Sequence, residues 1–196
     1  RLLAVMPGSR GGELARHLPV FARAVGLLRD RFGALALAVP TLPRLAEAVR
    51  AAPWPVAPIV TADATGKHDA WAAAAAALAK SGTTSLELAV AGVPQVVAYR
   101  VNPITAAIVR RLVTVPHASL VNLLAGEEVV PERLQEQCTP ERRAAALLPL
   151  LTGTDAAAAQ RAAFARVLGQ LRPPGGLAPS EAAAEAVLAE LATVQR

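Results

Sequence analysis

Two short segments rich in glycine and hydroxyl residues have the composition of anion-binding loops. The first, residues 7–12, has the sequence PGSRGG and lies between an apolar run and a segment with helical spacing. Such a junction presents backbone N–H groups without partners and the positive end of a helix dipole, and Gly8 would let the backbone approach a phosphate. Ser9 can donate a hydrogen bond, and Arg10 can grip phosphate oxygens with its planar guanidinium. The alternative is a tight turn with a solvated arginine, because the segment is neither a Walker loop nor a dinucleotide fingerprint.

The second segment, residues 81–87, has the sequence SGTTSLE at another strand-to-helix junction. Its hydroxyl and N–H groups could hold a second phosphate, and they belong to Ser81, Gly82, Thr83 and Thr84. Glu87, one turn into the helix, could accept hydrogen bonds from a ribose diol. The competing interpretation is a capping box, in which Thr84 is the N-cap residue and Glu87 satisfies backbone donors. On the residues alone the cap is favoured.

The elements around these segments predict a parallel sheet. Short apolar runs alternate with segments of helical spacing, which is the pattern of βαβ units. Because ligands of such sheets bind at the carboxyl ends of the strands, both loops are expected to open on one edge. Strands are predicted at residues 2–6, 34–39, 56–60 and 95–99, helices at 13–32, 42–52 and 84–91, and a further apolar run at 70–78.

The second part of the chain is predicted to be mainly helical. Residues 104–112 form an amphipathic segment, 118–130 a mixed connection, and 140–151 and 155–171 two helices. The sequence RPPGG at 172–176 then breaks the chain. A last helix follows, with Ser180 as its N-cap and an apolar stripe of Val187, Leu188 and Leu191.

Composition limits the class of protein. With 196 residues and 54% hydrophobic content the chain fits one domain, and its start at Arg1, directly before an apolar run, leads us to expect a piece of a longer protein. No signal peptide is visible, and the longest apolar stretch, residues 70–79, is shorter than a bilayer span. The single cysteine, Cys138, excludes an intramolecular disulfide and a zinc site of several thiolates, and it fits the cytoplasm.

Charge and histidine placement exclude further functions. The net charge of +5 favours phosphate-bearing partners or an anionic membrane surface. Nucleic-acid binding is not expected, because aromatic residues make up 3% of the chain and no basic run is interleaved with them. His17, His68 and His117 lack metal-ligand spacing, so no metal site is expected. Neither a nucleophile elbow nor a histidine partner for Cys138 is present.

Five segments together resemble the C-terminal half of lipid-A-disaccharide synthases, in the same order and spacing. The resemblance covers nearly the whole chain and favours Glu87 as a ligand over a cap. The segments are MPGSR at 6–10, SGTTSLE at 81–87, VVAYR at 96–100, LVNLLAG at 120–126 and VPERLQE at 130–136.

The resemblance implies a GT-B enzyme built from two Rossmann-like domains. The implied fold here is α/β, a Rossmann-like parallel sheet with helices on both faces, and the implied donor is a UDP-sugar. The implied reaction transfers 2,3-diacylglucosamine from UDP-2,3-diacylglucosamine to 2,3-diacylglucosamine 1-phosphate and releases UDP. No cofactor or metal is expected. The enzyme would lie peripherally on the cytoplasmic face of the bacterial inner membrane.

The same resemblance assigns parts of the chain. Residues 1–172 would form the UDP-sugar-binding domain, and 173–196 a linker and helix that pack on a missing N-terminal domain, where the catalytic base is also expected. Residues implied to bind the UDP-sugar are Gly8, Ser9, Arg10, Ser81, Gly82, Thr83, Thr84, Glu87, Asn122, Glu132 and Gln135.

Three positions depart from the family pattern. Lys80 replaces a small residue and would add positive charge beside the phosphates, Val121 replaces a proline, and His117 replaces a tyrosine. Two other classes stay open at this stage. One is another GT-B enzyme of the UDP-N-acetylglucosamine type, either a 2-epimerase or the lipid II-forming glycosyltransferase. The other is a UDP-binding module without catalysis.

Overall fold

A sheet of six parallel strands organises the computed structural model, which describes residues 1–99, 117–153, 155–172 and 174–194. The strand order is β3-β2-β1-β4-β5-β6, and each neighbouring pair is parallel. The strands are β1 (Leu2–Met6), β2 (Ala36–Pro40), β3 (Pro58–Thr61), β4 (Ala76–Lys80), β5 (Gln95–Tyr99) and β6 (Glu132–Leu134).

The strand order reverses between β1 and β4. From β1 the chain continues outward to β2 and β3, and then returns to place β4 on the other side of β1. Met6 of β1 pairs with Ala79 of β4, so both strands end side by side at the same edge. The loops that follow β1 and β4 therefore diverge from neighbouring points, which is where open α/β sheets bind ligands.

Helices connect the strands and cover both faces of the sheet. Their bounds in the described residues are α1 (Gly11–Phe32), α2 (Ala46–Arg50), α3 (Ala64–Ala73), α4 (Thr84–Val90), α5 (Leu120–Ala125), α6 (Pro140–Thr152), α7 (Asp155–Gln170) and α8 (Pro179–Val194). Short 3-10 turns lie at Pro43–Leu45, Gln135–Gln137 and Pro174–Gly176.

The two faces follow from the alternation of side chains along β1. Leu3 and Val5 join the core that contains Phe21 of α1, whereas Ala4 and Met6 join the core that contains Trp71 of α3. Successive strand residues point to opposite sides of a sheet, so an uninterrupted apolar strand requires cover on both. This confirms the predicted Rossmann-like α/β fold.

Some predicted elements have shifted bounds or a different structure. β1 and β5 have the predicted bounds, while residues 42–52 divide into the 3-10 turn and α2. The apolar run at 70–78 is not one element, because it contains the end of α3 and the start of β4. The prediction of a mixed connection at 118–130 was wrong, since α5 forms there; β6, which follows it, was not predicted.

At the end of the chain, Ser180 is not the N-cap of α8, since that helix begins at Pro179 and Ser180 lies in its first turn. All of its described side chains are exposed except Ala182, which is half-buried. The amphipathic segment predicted at 104–112 and the Arg100 end of one family segment lie outside the described residues.

A buried histidine makes the stability of this fold sensitive to pH. His17 of α1 is 1% exposed, and its ring lies 5.5 Å from that of Phe21. Burial is the main cause that lowers the pKa of His17 to about 4, with the nearby Arg143 charge adding to it and the Glu13 backbone opposing it. The folded protein therefore excludes a proton that the unfolded chain accepts below pH 6.5.

We expect the free energy of unfolding to fall by about 2 kcal/mol between pH 7 and pH 5, because each pH unit below the unfolded pKa adds roughly 1.4 kcal/mol until the folded pKa is reached. Urea unfolding at several pH values measures this loss. His17→Leu should remove most of the slope, while His68→Gln, at an exposed site, should retain it. An unchanged slope in His17→Leu would contradict this assignment.

Candidate functional site

A pocket of about 250 Å³ opens at the carboxyl ends of β1 and β4. Residues of both predicted loops line it, together with the end of β2 and the side of α3. The lining residues are Met6, Gly8, Ser9, Glu13, Pro40, Thr41, Leu42, Lys67, Trp71, Lys80, Ser81, Gly82, Thr83, Thr84 and Glu87. The structure thus brings seven of the eleven predicted ligands to one cavity: four hydroxyl residues, Gly8, Gly82 and Glu87.

The loop after β1 is held from both sides. The Ser9 N–H donates to Glu13 Oε2 at 3.0 Å, and the Ser9 carbonyl accepts from Arg44 Nη2 at 2.9 Å. Glu13 lies in the first turn of α1 and Arg44 in the turn after β2. The backbone at Ser9 is therefore fixed at the mouth of the pocket by side chains from two neighbouring elements.

Position 8 requires a glycine, because of both its backbone conformation and the atoms around it. Its φ of +129° is one that side-chain-bearing residues rarely adopt. A Cβ atom here would lie 2.7 Å from Glu13 Oε2 and 2.9 Å from Glu13 Cβ. The absence of a side chain allows the loop to close onto Glu13.

Glu13 is the centre of charge in this half of the pocket. Its Oε1 atom lies 3.1 Å from Lys80 Nζ and 3.6 Å from Arg10 Nη1. Burial is the largest single influence on the pKa of Glu13 and raises it, but the Ser9 N–H, the Lys80 ammonium and Arg10 together outweigh burial and lower the pKa. The Glu13 carboxylate is therefore ionised at neutral pH. No local pattern in the sequence predicted that Glu13 would pair with Lys80 and the Ser9 N–H.

Arg10 lies outside the pocket lining. It is the N-cap residue of α1, makes no side-chain cap hydrogen bond, and has a side chain that is 81% exposed. Its contact with Glu13 is an exposed ion pair of the kind that contributes little to stability. Arg10 is therefore close to the site, and its predicted contact with a diphosphate stays a prediction.

The loop after β4 is anchored to β5 and to the segment before α5. Ser81 N–H donates to the Ala98 carbonyl at 3.0 Å, and Ser81 Oγ donates to the Ala118 carbonyl at 2.7 Å. Beyond Ser81, the Gly82 carbonyl accepts from Ser85 Oγ at 2.9 Å. These bonds leave the Ser81 hydroxyl engaged within the protein and turn the backbone of the following residues toward the pocket.

Glu87 does not form the capping box. The N-cap residue of α4 is Thr83, it makes no side-chain cap hydrogen bond, and Thr84 is the first helical residue. The Glu87 carboxylate lies 3.8 Å from Lys67 Nζ, and its side chain is 47% exposed. The cap interpretation was therefore wrong, and a half-exposed carboxylate on the pocket wall is compatible with the alternative role as a ribose ligand.

The wall formed by α3 and β2 was missed from the sequence. Lys67 Nζ lies 4.7 Å from the centre of the Trp71 ring, which is buried. Within the described residues, Trp71 Nε1 and Thr41 Oγ1 are buried without a hydrogen-bond partner. Trp71 stands in a run of alanines that resembles a single apolar element, so no local signal in the sequence marked it.

Asn122 and Glu132 lie in a buried hydrogen-bond network away from the pocket. Asn122 Oδ1 accepts from the N–H groups of Val129 and Val130, and its Nδ2 donates to Glu132 Oε1 and to the Val130 carbonyl, all at 2.8–2.9 Å. Asn122 is 0% exposed. The side-chain amide is therefore fully occupied within the protein.

The same network reaches the second loop of the pocket. Glu132 Oε2 accepts from the Ala118 N–H at 2.8 Å and Oε1 from the Ser119 N–H at 2.9 Å. The Ala118 carbonyl in turn accepts from Ser81 Oγ. Glu132 thus fixes the backbone segment against which the Ser81 loop rests, at the point where β6 joins the sheet.

Gln135 is also separate from the pocket. It follows β6, has a φ of +46°, and lines a shallow depression with Val20, Arg23 and Cys138. The structure therefore does not bring Asn122, Glu132 or Gln135 to the cavity that the other predicted ligands line.

Neither a metal cluster nor a membrane-spanning helix is present in the described part of the chain. No group of three or more histidine, cysteine, aspartate or glutamate residues there could hold a metal ion. Among the described helices, none combines the length and the apolar character needed to cross a membrane.

Solved structures with this architecture place the fold in a class. A calicheamicin glycosyltransferase, CalG4, aligns with a TM-score of 0.56 and 24% identity over 95% of this chain and 41% of that one. A putative UDP-N-acetylglucosamine 2-epimerase from Listeria monocytogenes aligns with a TM-score of 0.55 and 16% identity over 86% of this chain and 43% of that one. At these identities the likeness shows the fold alone, a Rossmann-like α/β fold of the kind found in GT-B proteins.

Similarity in sequence identifies the family of this chain within that fold class. The lipid-A-disaccharide synthetase family model matches residues 1–186. A lipid-A-disaccharide synthase from Gluconobacter oxydans (strain 621H) is 48% identical over 186 residues, which are 94% of this chain and 45% of that protein. The chain belongs to the lipid-A-disaccharide synthetase family, and it spans about half the length of the curated relatives it matches.

The buried network gives a test of the roles of Asn122 and Glu132. Asn122→Ala removes partners from two N–H groups, a carbonyl and the Glu132 carboxylate, and buried polar groups left unsatisfied cost about 1–3 kcal/mol each. We expect the free energy of unfolding to fall by roughly 3 kcal/mol or more, as measured by urea denaturation. Gln137→Ala, at an exposed position nearby, is the control and should change little. Wild-type stability in Asn122→Ala would show that the network is not structural.

Proposed function

We propose that this chain is the donor-binding half of a lipid-A-disaccharide synthase. The enzyme would transfer 2,3-diacylglucosamine from UDP-2,3-diacylglucosamine to 2,3-diacylglucosamine 1-phosphate and release UDP. Family membership supports the reaction. The observation that carries the donor-binding role is that the loops after β1 and β4, both rich in N–H and hydroxyl donors, line one pocket.

The arrangement of the pocket suggests how UDP binds. The diphosphate would lie between the fixed Gly8-Ser9 backbone and the turn at residues 81–84, close to the N-terminus of the long helix α1. The ribose diol would then reach Glu87, whose carboxylate accepts hydrogen bonds and whose ion pair with Lys67 is half exposed and easily exchanged. The buried Trp71 and Thr41 donors lie on the remaining wall.

The catalytic contribution of this half would be to stabilise the leaving group. As the bond to the anomeric carbon breaks, negative charge grows on UDP, and fixed N–H groups and cations stabilise it more than they stabilise the bound substrate. Inversion also requires a base to accept the proton of the acceptor hydroxyl. We assign that base to the other half of the enzyme.

The remaining predicted ligands take indirect roles in this proposal. Asn122 and Glu132 would position the Ser81 loop through Ala118, and the predicted contact of Gln135 with the sugar stays a prediction, because Gln135 lies away from the pocket. Arg10 would fold over the diphosphate from its exposed position at the start of α1.

The last helix and the charge of the chain suggest the remaining partners. Val187, Leu188 and Leu191 of α8 are exposed and close in sequence, and we assign this stripe to contact with the other half of the enzyme. A net charge of +5 suits phosphorylated, acylated substrates and the anionic cytoplasmic surface of the inner membrane, where the enzyme would bind peripherally.

We expect the 196-residue chain to bind UDP but not to catalyse transfer. Titration calorimetry with UDP measures the first, and a disaccharide-forming assay with the acylated UDP-sugar and its acceptor measures the second. The same assay on the chain joined to its other half should show turnover. Robust turnover by the 196-residue chain alone would contradict the assignment of the base, and absence of UDP binding would contradict the proposed function.

Glu87→Gln tests the ribose contact. Hydrogen bonds to charged groups contribute about 1.5–3 kcal/mol, so the affinity for UDP should fall by roughly ten-fold to a hundred-fold. The Tm should change little, because Glu87 makes an exposed ion pair and no cap. Glu47→Gln, which removes a similar exposed carboxylate on α2, is the control and should leave UDP binding unchanged. If Glu87→Gln binds UDP as the wild type does, Glu87 is not a ligand.

A further inference from the structure

We propose that Lys80, held by Glu13, is a cation that contacts the diphosphate of the donor from inside the pocket. The inference rests on the proposed function and assigns a specific contact within it. Lys80 is the last residue of β4, at the edge where β4 ends beside β1. Its side chain lines the pocket together with Gly8, Ser9 and Gly82, so it stands between the two loops.

Lys80 and Arg10 differ in how far their side chains are exposed to solvent. The Lys80 side chain is 19% exposed and that of Arg10 is 81% exposed, and only Lys80 is among the residues that line the cavity. A cation in a partly enclosed site interacts with a phosphate through a lower effective dielectric than a solvated one does. The electrostatic attraction for a diphosphate inside the pocket is therefore larger from Lys80.

The surroundings of Lys80 fix the position of its ammonium. Nζ lies 3.1 Å from Glu13 Oε1 and 5.1 Å from the centre of the Tyr99 ring. An ammonium group carries three N–H donors, so a single carboxylate oxygen leaves donors for phosphate oxygens. Glu13 thereby holds the Lys80 ammonium in place and leaves some of its N–H donors for a ligand.

Glu13 also joins this lysine to the first loop. Its Oε2 atom accepts the Ser9 N–H while Oε1 faces Lys80. The single hydrogen of the Ser9 N–H is engaged by Glu13, whereas the Lys80 ammonium has more donors than that one contact uses. A diphosphate entering the pocket would therefore meet the Lys80 ammonium beside a loop whose backbone Glu13 already holds in place.

The second lysine of the pocket is assigned to a different part of the ligand. Lys67 lies 3.8 Å from Glu87 and over the Trp71 ring, on the wall proposed for the ribose. Lys67 is therefore a matched comparison, because it has the same charge, lines the same pocket and is placed away from the Ser9 loop.

The test compares UDP with uridine, which lacks the diphosphate, by calorimetry on the 196-residue chain. We expect Lys80→Met to weaken UDP about ten-fold or more, the size of a lost charge-assisted hydrogen bond, and to change uridine binding less than about two-fold. Lys67→Met should leave the ratio of the UDP and uridine Kd values unchanged. The UDP affinity of the wild type should also fall with added salt more steeply than that of Lys80→Met.

A second variant covers the case in which Lys80→Met leaves Glu13 unpaired and fails to fold. Lys80→Met/Glu13→Gln removes both charges and keeps an acceptor for the Ser9 N–H, and it should bind UDP at least about five-fold more weakly than the wild type while binding uridine equally. A wild-type ratio of UDP to uridine affinity in either folded variant would overturn the role of Lys80 and leave the proposed function intact. Failure of the wild-type chain to bind UDP would overturn both.

Discussion

The parallel pairing of β1 with β4 is the constraint on which the candidate site depends. These strands are distant in sequence, and the chain makes two crossovers to β2 and β3 before β4 returns to the side of β1. The register that joins Met6 to Ala79 ends both strands at the same level. Two loops that are separated by about 70 residues of sequence thereby become opposite walls of one pocket.

That proximity concentrates positive charge and backbone donors, and two carboxylates, Glu13 and Glu132, balance or support them. Placing Lys80 beside the donor-rich Ser9 loop concentrates positive potential, and the Glu13 carboxylate balances it from the first turn of α1. On the other side, Glu132 holds the segment that supports Ser81. Rigid partners of this kind keep the donors in place before a ligand arrives, and such preorganisation is what lets electrostatic groups act on a transition state.

Periodicity and loop composition predicted the parts of the fold that are encoded locally. The short apolar runs of β1 and β5, the long stripe of α1 and the glycine-rich turns have local signals, so their positions were predicted closely. The division of the alanine run into α3 and β4 was not predictable in this way, because alanine suits both elements and only tertiary packing separates them.

Only some of the residues that line the pocket were predicted from the sequence, and the reason is related. Loop residues such as Ser9 and Ser81 lie just after strand ends, whose common edge follows from parallel topology. Glu13, Lys67 and Trp71 are helix residues, and their contribution depends on which face of each helix meets the sheet edge. Asn122 illustrates the opposite case, because a segment shared with a family indicated a ligand, whereas the structure shows a residue whose amide is occupied inside the protein.

A crystal structure of the 196-residue chain with UDP tests the central claim most directly, since that claim is that the two loops bind the two ends of one nucleotide. We expect diphosphate oxygens within hydrogen-bond distance, about 3 Å, of Ser9 Oγ and Lys80 Nζ, and ribose hydroxyls at the same distance from the Glu87 carboxylate. UDP bound at another surface, with the contacts from Glu13 to Lys80 and from Glu87 to Lys67 unchanged around this pocket, would contradict it.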